Sequence, residues 1–85
     1  MTRELPAASF SSFIVSLAGS AMTHMGQAPA GDTGVQVDIQ MARHTIDLLG
    51  LLEDKTKGNL DDEEAKLLKT LLYELRTKFV TASEA

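Results

Sequence analysis

Two histidines, His24 and His44, are the only imidazoles in the 85 residues. His44 lies three residues before Asp47, a helical spacing that some metal sites use. No third or fourth ligand stands near the pair, and both residues fall on the charged side of their segment. His24 falls on an apolar side, where a hydrogen-bonded core histidine is the ordinary occupant. The acidic run "DKTKGNLDDEE" has the flavour of a calcium loop. Counted from Asp54, position six is Asn59 where glycine is needed, and position twelve is Ala65 where glutamate is needed. Ser9, Ser11, Ser12, Ser16 and Ser20 lack a nucleophile elbow, and no glycine-rich phosphate loop is present. Asp61 and Asp62 adjoin one another in what reads as a solvated helical turn, a poor setting for shifted carboxylates. The residues therefore point to no catalytic centre, no metal site and no cofactor.

The totals narrow the classes further. Apolar residues make up 44% of the chain, its formal net charge is −4, and it has no cysteine. An acidic balance opposes a nucleic-acid partner, which needs a basic face. Without cysteine there is no disulfide framework or thiolate chemistry, which favours a reducing compartment. One domain over residues 1–85 is expected, with a flexible start at 1–8, a loop at 27–37 and a flexible tail at 83–85. At this size a single core is marginal, and oligomerisation is a common remedy.

Three helices are expected, near 9–25, 38–57 and 61–82, which makes the fold all-α. The first carries "FSSFIVSLAGSAMTHMG". From Phe10 to Met25 it holds no Lys, Arg, Asp or Glu. As a signal peptide it reads poorly, because Ser11, Ser12 and Ser16 interrupt its apolar run, although "GSA" resembles a cleavage site. As a membrane span it is too short and too rich in hydroxyls. At 100° per residue, Phe10, Phe13, Ile14, Leu17, Ala18, Ala21, His24 and Met25 share one side. Ser12, Ser16, Gly19, Ser20 and Thr23 share the other. Ser9 is the expected N-cap and Gly26 the C-terminal stop. A helix facing water usually shows charge there; this one shows only hydroxyls and glycine. It is built to touch protein on more than one face.

The second helix should begin at an Asp38 N-cap, with Val37 and Ala42 as a weak hydrophobic staple. Val35, Ile39, Ala42, Ile46 and Leu49 step by four and three, a coiled-coil seam. Met41, Thr45, Leu48 and Leu52 form a second apolar stripe beside it. Gly50 inside this helix costs about 1 kcal/mol relative to alanine, and either is a tolerated defect or admits another helix closely. Gly58 should end the helix. Asp61 and Glu64 form a capping box for the third helix, and Asp62, Glu63 and Glu64 complement its dipole. Leu67, Leu68, Leu71, Leu72, Leu75 and Phe79 form the third helix's apolar face. A connection of two or three residues implies an antiparallel hairpin of helices 2 and 3, with helix 1 across it or across a partner's hairpin.

Two separated stretches, "FSSFIVSLAGSAMTHMG" and "TIDLLGLLEDKTKGNLDDEEAKLLKTLLYELRTKFV", resemble a family of small bacterial proteins, the domain-of-unknown-function family numbered 1844. The resemblance spans roughly residues 10–80. It rests on Phe10, Phe13, Ser16 and Leu17; on His24, Met25 and Gly26; and on Thr45 to Leu49. It continues in Lys55, Thr56, Gly58, Asn59 and Leu60, then in Leu71, Leu72, Tyr73, Leu75 and Arg76. The central loop and His44 depart from the family pattern. The resemblance implies a bacterial, cytoplasmic protein and supplies no reaction or ligand.

The expected function is a non-enzymatic helical module for self-association, a homo-oligomer, with another protein as a further partner. Assembly is expected to rest on Phe10, Phe13, Leu17, Ala21, Ile46, Leu49, Leu68, Leu71 and Leu75, with His24 and Asp47 as the polar residues that specify it. Two alternatives stand beside it. One is a small-molecule or lipid-binding bundle with a pocket at Phe10, Phe13 and Met25. The other is peripheral membrane association through helix 1, which its lack of Lys and Arg opposes.

Overall fold

The computed structural model describes residues 8–26 and 37–84. Residues 1–7 of the expected start at 1–8, residues 27–36 of the expected loop at 27–37, Val35 of the seam among them, and Ala85 of the tail lie outside the described residues. Three helices follow in order: α1 Phe10–His24, α2 Ile39–Lys55 and α3 Asp62–Glu84. No strand occurs among the described residues.

Each helix starts where a side chain satisfies its orphan amides. At α1 the Ser12 amide donates to Ser9 Oγ at 3.0 Å, and the Ser9 amide donates to Ser12 Oγ at 3.2 Å. This is a capping box in which a serine stands where glutamate is usual. At α2 the Met41 amide donates to Asp38 Oδ1 at 3.1 Å. At α3 the box is the expected one. The Glu64 amide donates to Asp61 Oδ1 at 2.7 Å, and the Asp61 amide to Glu64 Oε1 at 3.0 Å.

The helix ends differ slightly from expectation. α2 stops at Lys55, two residues early, because the Thr56 hydroxyl donates to the Leu52 carbonyl at 2.6 Å and a turn through residues 56–59 follows. Gly58 occupies that turn at φ +88°. A methyl added there would meet nothing within 4 Å, so the glycine's role is purely conformational. Gly58→Ala should therefore cost about 1 kcal/mol in urea unfolding through backbone strain alone. α3 runs on to Glu84, past the expected end at 82. Ala82 packs on the core there, and the Ser83 hydroxyl bonds the Val80 carbonyl. Residues 83 and 84, expected as tail, are thus helical.

All three helices pack directly against one another. Their common core holds Ile14, Ala18, Ala21 and Met25 from the α1 region, Ala42, Ile46 and Leu49 from α2, and Leu68, Leu72 and Leu75 from α3. Phe10, Leu17, Met22, Leu52, Leu60, Leu67, Leu71 and Phe79 close around it. The α1 contribution steps through 14, 18, 21 and 25, the i, i+4, i+7 pattern of one helix face. Val37 Cγ2 lies beside Gly26, where an added Cβ would come within 2.8 Å of it, and the Asp38 amide bonds the His24 carbonyl at 2.7 Å. That bond ties the end of α1 to the start of α2.

The side-chain hydrogen bonds have one character. Among the described residues, from Ser9 with Ser12 to Ser83 with Val80, each joins residues three or four apart in sequence. Buried Thr45 follows the pattern, donating to the Met41 carbonyl one turn back at 2.9 Å.

Candidate functional site

With Ile14, Ala18, Ala21 and Met25 turned to the core, the opposite side of α1 faces solvent. Ser16, Gly19 and Ser20 are exposed there, and Phe13 and Val15 flank them at 50% exposure each. Thr23 Oγ1 donates to the Gly19 carbonyl at 3.0 Å, so its hydroxyl is turned back on its own helix. His24 is half-buried at the edge of this face, its Nε2 3.4 Å from Ser20 Oγ.

The residues expected to carry assembly divide into two groups. Ala21, Ile46, Leu49, Leu68 and Leu75 are buried within the chain, and Phe10, Leu17 and Leu71 are half-buried against them. They build the fold. Phe13 and Asp47 are exposed. Of the expected apolar set, Phe13 is thus the side chain set outward on α1. Of the residues expected to line a pocket, Met25 is in the core, Phe10 is half-buried and Phe13 is 50% exposed.

The sequence reading missed a second outward surface. On α2, Met41, His44, Leu48 and Leu51 step by three, four and three. Met41 is 42% exposed, Leu51 is 52% exposed, His44 is exposed and Leu48 half-buried. This is a heptad spacing turned to solvent. The signal was present in the spacing. It was masked because Met41 and Leu48 also fit a core stripe with Thr45 and Leu52, and of those two only Thr45 is fully buried while Leu52 packs at the core's edge.

A surface depression lies elsewhere, along α3 with Glu53 of α2 at its side. It is a groove of about 450 Å³ that includes Glu53, Lys69, Leu72, Tyr73, Arg76 and Val80. Gly50 borders it. A Cβ at Gly50 would stand 3.3 Å from Arg76 Nη2, so the glycine admits a guanidinium and not another helix backbone.

Chemistry is sparse in this arrangement. Among the described residues no three His, Cys, Asp or Glu side chains gather as a metal site. No described helix is long and apolar enough to cross a membrane. No curated protein and no solved structure matches the chain. A family model does match, over residues 7–81, and its extent takes in all of α1 and α2 and nearly all of α3. With the F-x-x-F start of α1, the Thr45–Leu49 stretch and the Gly58 turn all inside that span, the chain belongs to the family described as Domain of unknown function (DUF1844).

Proposed function

We propose that the chain is a non-catalytic helical module that associates with a second copy of itself through the outward side of α1. One observation carries the reading: that side holds no charge, yet Phe13 and Val15 stand half exposed around Ser16, Gly19 and Ser20. A helix side bound for water normally presents Lys and Glu. Small residues let a second helix approach closely, and Phe13 and Val15 then gain burial at about 25 cal/mol per Å². The exposed Met41–Leu51 spacing of α2 is a second apolar surface on the same chain. A cysteine-free chain suits a reducing compartment, and we place this one in the bacterial cytoplasm.

Light scattering across dilution tests the reading. The expected mass is a multiple of the 9.2 kDa chain, falling on dilution. A folded 9.2 kDa species at every concentration overturns it. Val15→Glu places charge on the outward side without entering the core. It should give a monomer with unchanged helical circular dichroism, and an unchanged mass would exclude α1 as the interface. Leu17→Asp is a poorer probe, because Leu17 packs on the core and its loss unfolds the chain as well.

A further inference from the structure

The α2–α3 groove is separate from the surfaces just described. At 100° per residue, Glu53 stands roughly 160° around α2 from the middle of the Met41–Leu51 spacing. Three features set the groove apart. The first is charge. Lys69 and Arg76 against Glu53 leave one positive charge over, in a chain whose formal net charge is −4. The second is shape. Leu72 forms a buried floor, and Tyr73 and Val80 rise beside it at 72% and 57% exposure. The third is Gly50. α2 gives up about 1 kcal/mol of helix propensity there. The missing side chain lets the Arg76 guanidinium lie against α2, at the groove's edge. Arginine and tyrosine are the types that most often anchor protein contacts.

We propose that this groove docks an acidic amphipathic helix of a partner protein. Its carboxylates meet Lys69 and Arg76, and an apolar side chain rests on Leu72 between Tyr73 and Val80. The walls are too exposed to enclose most of a small molecule, as ligand pockets do. A helix laid along the groove needs no enclosure. Charge complementarity selects an acidic partner.

Tyr73 is the sole tyrosine, and the chain has no tryptophan, so intrinsic emission reports on the groove directly. The probe is a synthetic helical peptide with leucine on one face and glutamate on the other, free of aromatic residues. Its control carries lysine for every glutamate. Titrations use the full chain and its Val15→Glu variant, so failure of the α1 reading and failure of this one are distinguishable. The acidic peptide should change Tyr73 emission saturably, and the lysine peptide should not. Arg76→Gln should weaken binding by about tenfold. Gly50→Ala should raise the melting temperature, since a flexible guanidinium can yield, while weakening binding; a merely structural glycine would show only the first effect. The proposal is overturned if neither peptide binds, if both bind alike, or if Arg76→Gln changes nothing. It is also overturned if Tyr73 emission shifts on diluting the protein alone, which would make a second copy the occupant.

Discussion

Leu49→Ala should lower the unfolding free energy by about 2–5 kcal/mol. Leu49 is fully buried at the centre of α2, in the cluster shared by all three helices. Removing its isobutyl group forfeits the transfer energy of the lost carbons. It also leaves a cavity, because helices held by several other contacts relax only partly. Stability near 0.05–0.15 kcal/mol per residue puts a chain of this length within reach of a single such loss. The measurement is urea unfolding by circular dichroism at several fixed protein concentrations, since association would add to apparent stability. A loss under about 1 kcal/mol would mean that α2 does not pack as described. Leu51→Ala, in the same helix but half exposed, is the internal control and should cost far less.

Ala21→Leu carries the second large effect, of opposite cause. Ala18 and Ala21 of α1 and Ala42 of α2 are all buried in one cluster. Methyl groups at these positions let the helix axes approach closely. Three more carbons at residue 21 have no space to enter. The helix must shift or its neighbours must leave their rotamers, at about 1–3 kcal/mol. A thermal melt reads the loss. The exposed Gly19→Ala, two residues away with nothing near its added methyl, should instead stabilise α1 by up to about 1 kcal/mol. The pair separates packing from helix propensity.

Much of this fold was legible because its signals are local. Ser9, Asp38 and Asp61 were readable as N-caps, since capping needs one side chain and an amide two or three residues on. The family was legible from two joined motifs. The α1 core face followed from spacing alone. What escaped depends on where other helices sit. Met41 and Leu48 fit two stripes equally well, and only the placement of neighbouring helices decides which stripe is covered. Phe13 lies at the margin of the α1 apolar arc, where a few tens of degrees separate core from solvent. Gly50 was readable as a weak point, but its neighbour is a guanidinium from 26 positions later, beyond any local signal. The outward hydroxyl side of α1 was visible from its lack of charge, and the chemistry of the α2–α3 groove was not, because its residues come from two helices.

The side-chain bonds that each reach no further than one turn have a consequence for the whole molecule. Among the described residues every side-chain latch fastens a helix to itself, so apart from the backbone bond between Asp38 and His24 the rods are set against one another by contour and oil. Cold should loosen such an assembly, since the expulsion of water from carbon weakens as temperature falls.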